Sequence, residues 1–109
     1  MLIMTLKVID IIENMSETFK EDAYIEEVYL FGSQARGTSG KKSDIDLAIV
    51  TGPLEKVNKE ALRKKADEFD IKCHFTYTTK YRLQKSNSVF DVNTHIRNDG
   101  ILVWKRDKD

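Results

Sequence analysis

Apolar residues return every three or four places through the opening of the chain, at Leu2, Leu6, Ile9, Ile12, Met15 and Phe19. That spacing marks one stripe of an amphipathic helix. Met1, Ile3, Met4, Val8 and Ile11 widen the apolar surface, either as a broad core face or as a partner-contact face. Tyr24 to Phe31 (YIEEVYLF) is rich in aromatic and β-branched residues and stops at Gly32, which predicts a strand. Ser33 to Ser43 reads as a turn-rich excursion, with SQARG able to form a short helical turn. Ile45 to Val50 is a compact apolar strand closed by Gly52-Pro53. From Leu54 to Phe69 the helical period returns, through Leu54, Val57, Ala61, Leu62, Ala66 and Phe69. The period then changes to two, with Ile71, Cys73 and Phe75 alternating against Lys72, His74 and Thr76. Val89, Phe90, Val92 and Ile96 predict a last helix, stopped by Asn98-Asp99-Gly100, and ILVW a final strand.

No repeat, linker or low-complexity tract divides this order, and a chain of 109 residues fits one domain spanning 1–109. The expected fold is α+β (α/β-like): a small mixed β-sheet with helices packed mainly on one face.

Charge adds little to the picture. Eighteen basic and eighteen acidic side chains cancel, so net charge gives no signal for nonspecific nucleic-acid binding. Glu13 to Glu27 is acidic and Lys56 to Lys65 basic, as solvated helix faces often are. Cys73 is the sole cysteine, which excludes an intramolecular disulfide and suits a reducing compartment. Lys7, Asp10 and Glu13 interrupt the apolar start, which therefore does not read as a leader, and no stretch predicts a membrane span. A cytoplasmic location is the expectation.

Candidate chemistry lies in the stretch LFGSQARGTSGKKSDIDLAIV, from Leu30 to Val50. Residues two apart in a strand share a face and lie roughly 6.6 Å apart. Asp44 and Asp46 therefore point one way, with Ala48 and Val50 farther along that face, while Ile45, Leu47 and Ile49 point to a core. Two close carboxylates repel unless a cation, solvent or hydrogen bonds compensate, and magnesium suits such hard oxygen donors. Gly32 permits a tight turn or close approach of a phosphate to the backbone, and Ser33 offers a hydroxyl and an amide. Each half alone is equally consistent with an ordinary turn.

Together, Gly32-Ser33-Gln34-Ala35-Arg36-Gly37 and Ser43-Asp44-Ile45-Asp46-Leu47 resemble the double signature of the minimal nucleotidyltransferases. These belong to the DNA-polymerase-beta-like nucleotidyltransferase superfamily, and the resemblance covers about residues 25 to 104. It implies the nucleotidyltransferase fold. It also implies transfer of a nucleoside monophosphate, with AMP from ATP the expected case, to a hydroxyl. Gly32, Ser33 and Arg36 would hold the triphosphate, and Asp44 and Asp46 two magnesium ions. The family's third carboxylate, on a later strand, is assigned to Asp70, as metal ligand and base, because EFDIKCHF lies at the expected strand onset. Lys72 departs from the usual pattern, and an alternative alignment places His74 near the site and Asp70 at its edge. The small size of the chain resembles antitoxins of two-gene toxin–antitoxin modules, whose partner is an all-helical HEPN-type toxin. A hydroxyl of that partner is one implied acceptor. The other implied role is a nucleotide-binding antitoxin that neutralises its partner by contact alone. Homo-oligomerisation stays open.

Overall fold

A computed structural model describes residues 6–32 and 44–107. Met1 to Thr5 and the Ser33–Ser43 excursion lie outside the described residues. The elements run α1 (Leu6–Glu21), β1 (Ile25–Phe31), β2 (Ile45–Thr51), a 3₁₀ turn (Leu54–Lys56), α2 (Lys59–Ala66), β3 (Cys73–Thr79), α3 (Lys80–Lys85), α4 (Val92–Asp99) and β4 (Ile101–Lys105). The strands form one sheet in the order β3-β2-β1-β4. β1 is antiparallel to both β2 and β4, whereas β2 and β3 are parallel. A parallel pair needs a crossover, and the 3₁₀ turn and α2 supply it.

Strand alternation gives the sheet two different faces. On one, Val28, Leu30, Ile45, Leu47, Ile49 and Cys73 pack against Val8, Ile11, Met15 and Phe19 of α1 and Leu62 and Ala66 of α2. This is the larger core, and each fully buried aliphatic side chain in it contributes about 1.5–3 kcal/mol. On the other face Ala48 and Val50 are buried with Leu83 of α3 and Ile96 of α4, against Tyr29 and Phe31. α1 and α2 thus lie on one side of the sheet and α3 and α4 on the other. Among the described residues no helix is long and apolar enough to cross a membrane.

Local chemistry explains the element ends. The expected helix from Leu54 to Phe69 is broken because Val57 is extended and Asn58 caps α2, its side chain accepting from the Ala61 amide at 3.0 Å. Asp22 holds that junction by accepting from the Asn58 amide at 2.9 Å. Asp91 caps α4 in the same way, accepting from the Asn93 amide at 2.9 Å, so that helix begins at Val92 and not at Val89. α3 was not expected from the apolar pattern; Thr79 caps it and only Leu83 is buried. The C-terminus of α1 is met by Arg106, whose guanidinium donates to the carbonyls of Phe19, Asp22 and Ile25 at 2.8, 2.6 and 2.8 Å. A cation there suits the helix end. In α1 the buried stripe is Val8, Ile11, Ile12, Met15 and Phe19, while Leu6 is exposed.

Candidate functional site

The parallel pairing of β2 with β3 sets the site's geometry. Ile45 N–H donates to Lys72 O at 2.9 Å, and from there Ile45 pairs with Cys73 and Asp46 with His74. On the other side Asp46 pairs with Phe31 of β1. Cross-strand partners share a face, so Phe31, Asp46 and His74 form a row across three strands. The row lies on the face whose farther part, at Ala48 and Val50, is covered by α3 and α4. Asp44 and Asp46 occupy the end that α3 and α4 leave uncovered among the described residues.

Asp44 immediately precedes β2, and its Oδ2 lies 2.6 Å from Nε2 of His74. Both side chains are about half exposed, at 48% and 46%. Asp46 is half-buried. Gly32 closes the other flank with a φ of +76°, a backbone conformation that L residues with a side chain resist. A Cβ added there would overlap the Oδ2 atom of Asp46. The backbone leaving β1 therefore runs against the second carboxylate, and a side chain at this position would have to displace it. Ser33 and Arg36, assigned to phosphate, lie outside the described residues, as do Lys41 and Lys42.

Asp70 is placed differently from the strand-onset expectation. β3 begins at Cys73, three residues later, and Asp70 sits in a bend with its side chain 75% exposed. Its Oδ2 accepts from Lys7 Nζ of α1 at 2.7 Å, and this hydrogen bond holds the carboxyl below the usual carboxylate range. Asp70 lines a depression of about 460 Å³ with Arg63, Phe69 and Lys72, which neither Asp44 nor Asp46 lines. Among the described residues no group of three or more His, Cys, Asp and Glu side chains stands ready-made as a cation cage. The neighbour that β3 offers to the aspartate pair is His74. Local alternation carries this signal only in part: it fixes the phase of His74, but not which row it joins.

Aromatic side chains with the ring surface to stack a base divide between core and surface. Tyr77 and Trp104 pack against the larger core, Trp104 with its ring centroid 5.6 Å from that of Phe19. Burial pushes the Tyr77 phenol up to about 12. Tyr81 is exposed. Cys73 is fully buried, and burial pushes its thiol up, as befits a core residue. His95 is exposed on α4, with Nε2 2.7 Å from Val89 O.

Comparison with known proteins follows the same lines. The family described as "Polymerase beta, Nucleotidyltransferase" matches residues 13–109. A candidate nucleotidyltransferase from Sulfolobus solfataricus is similar in structure, with a TM-score of 0.62 and 22% identity over 93% of this chain and 83% of that one. A chain from a toxin–antitoxin crystal structure with AMP-PNP gives a TM-score of 0.63 at 21% identity, over 87% and 73% of the two chains. One from the MntA–HepT toxin–antitoxin pair gives 0.54 at 20%, over 89% and 73%. At these identities the likeness is one of fold. No protein of curated function matches the sequence significantly.

Proposed function

Since the chain belongs to the polymerase beta nucleotidyltransferase family, we propose that it binds a nucleoside triphosphate with divalent cations and transfers the nucleoside monophosphate to a hydroxyl. The expected donor is ATP and the transferred group AMP. The observation that carries this reading is the close approach of Gly32 to Asp46, which supports treating the two halves of the motif as one site. Asp44 and Asp46 supply hard oxygen donors at the end of the face that α3 and α4 do not cover, a chemistry that fits magnesium. When bound, such ions supply neutralisation of the triphosphate and of charge on the attacking and leaving oxygens.

The chain's own contribution is positional. Gly32 lets the backbone approach a phosphate beside Asp46, and Ser33 and Arg36 follow it in sequence as phosphate donors. Phe31 flanks Asp46 with an apolar wall. Fixed placement of the reacting groups is where most of the rate of phosphoryl-type transfer originates.

The acceptor we propose is a hydroxyl on a small, all-helical toxin of HEPN type, in a toxin–antitoxin pair located in the cytoplasm. The fold likeness to chains of toxin–antitoxin structures supports this. A second reading, neutralisation of the partner by binding without turnover, is favoured by a specific arrangement. Asp70 is engaged with Lys7, and β3 sets an imidazole, not a carboxylate, opposite Asp46.

Incubation with the protein encoded beside it, magnesium and α-labelled nucleoside triphosphates tests both. Label on the partner that disappears in Asp44→Asn/Asp46→Asn supports transfer. Tight partner binding with no label from any nucleotide refutes transfer and supports the second reading.

A further inference from the structure

We infer that the chain binds a second copy of itself head to tail, with Phe90 of one copy seated in the depression that α1 and α2 form on the next.

The projecting half is the turn between α3 and α4. Of the large apolar side chains exposed among the described residues, Tyr81, Val89, Phe90 and Val92 all belong to this region, and Phe90 is 95% exposed. Single exposed apolar residues are ordinary, whereas a cluster marks an interaction site. The turn is also held in shape. The Phe90 amide donates to Ser88 Oγ and the Asp91 amide to Ser88 O, both at 3.1 Å. His95 Nε2 lies 2.7 Å from Val89 O, and Asp91 caps α4. An anchor already ordered before it docks gives up little conformational freedom.

The receiving half is a depression of about 410 Å³. Ala23, Tyr24, Ala61 and Leu62 give it apolar walls, and Glu21, Asp22 and Lys56 also line it. It lies beside α1 and α2, on the opposite face of the sheet from α3 and α4. Phe90, almost fully exposed, does not fill the depression of its own chain, so the two halves meet between copies.

Charge selects a second copy as the occupant. Arg82 and Lys85 stand beside the projecting turn, in a hollow shared with Tyr81 and Asp91. The depression offers them Glu21 and Asp22, with Glu17 one helical turn back on α1, and its Lys56 answers Asp91. Among the described residues Arg82, Lys85, Glu17, Glu21 and Lys56 are in no ion pair within the chain. Opposite charges on the two halves steer the encounter and fix its register. β1 separates the depression, at its start, from Gly32 and the aspartate pair, at its end, so association leaves that site open. A head-to-tail contact leaves one half free at each end and therefore extends or closes into a ring.

Sedimentation velocity over a wide range of concentration reads this directly. The wild type is expected to gain mass with concentration and to lose it as salt rises. Phe90→Asp spoils the projecting half, and Ala61→Arg, at an exposed position of α2, blocks the depression. Each alone is expected to weaken self-association at least about tenfold, as loss of a central anchor does. An unchanged Tm verifies that both variants are folded. Mixed, each supplies the half that the other lacks, and a one-to-one complex that cannot grow is expected. A wild type that stays monomeric up to its solubility limit, self-association that persists in either variant, or a mixture that forms no complex would overturn the inference. So would a monomeric wild type that binds the protein encoded beside it through Phe90, with binding lost in Phe90→Asp, which would assign the turn to that partner.

Discussion

Replacing Gly32 by alanine perturbs the point where, among the described residues, the two halves of the motif approach each other. Two effects follow from the structure. The φ of +76° is strained for any residue with a Cβ, which costs roughly 1–2 kcal/mol. The new methyl also overlaps Asp46 Oδ2, so either the carboxylate swings away or the backbone shifts. For a domain of this size 1 kcal/mol corresponds to about 4–8 °C in Tm. A fall of roughly 4–16 °C is therefore expected for Gly32→Ala. Gly52→Ala is the control: its φ is not positive, and an added Cβ would sit at an ordinary 3.7 Å from Glu26 Oε2. That variant should match the wild type within about 0.5 kcal/mol. Urea denaturation of the three proteins gives the stability difference, and cation titration of the folded proteins gives the functional one. Cation binding should be impaired in Gly32→Ala even where the protein is fully folded, because Asp46 has been moved. Wild-type stability and wild-type cation affinity in Gly32→Ala would refute the claim that this backbone is pressed against the site.

Other parts of the molecule give independent expectations. Arg106→Ala removes the guanidinium donor from the carbonyls of Phe19, Asp22 and Ile25 where α1 passes into β1, the first two of which keep a backbone N–H partner, and should lower unfolding free energy by about 2–4 kcal/mol, with Arg106→Lys in between; equal stability of all three in urea would refute the clamp. Asp70→Asn should leave cation binding unchanged, since Lys7 and not the aspartate pair is its neighbour; lost binding in the same titration would return Asp70 to the site. Tyr77 has a folded-state pKa raised from 10.0 to about 12, so the folded state holds its proton more tightly. Its contribution to stability is complete below about pH 10 and is lost as pH rises through 12. Alkaline absorbance titration should show a tyrosinate fraction appearing only near pH 12 and missing from Tyr77→Phe; an unchanged curve in that variant would contradict the burial.

Much of this arrangement was legible because the signals are local. The stripe through Ile12, Met15 and Phe19 is an i, i+3, i+7 pattern, and the alternation of Ile45, Leu47 and Ile49 is unmistakable at period two. The same alternation put Asp44 and Asp46 opposite the core, and Ala48 and Val50 beyond them, where α3 and α4 bury the latter pair. What escaped depends on contacts distant in sequence. α3 is less than two turns long, too short to show a stripe, and is fixed by its Thr79 cap and by Leu83 reaching the second core. Ile71 is buried and continues the alternation of Cys73 and Phe75 upstream, which made the strand seem to start early. Asp70 instead precedes β3 by three residues and pairs with Lys7. Which residue of β3 stands beside Asp46 is set by the crossover through α2, and no local period encodes that register. The roles of Ser33 and Arg36 lie outside the described residues and rest on the motif alone.

Binding of ATP in the presence of a divalent cation, measured by titration calorimetry for the wild type and Asp44→Asn/Asp46→Asn, tests the central claim most directly. The expected result is cation-dependent binding by the wild type and none by the double variant, with both proteins folded. Equal binding by the two, or binding indifferent to the cation, would contradict a site built on Asp44 and Asp46.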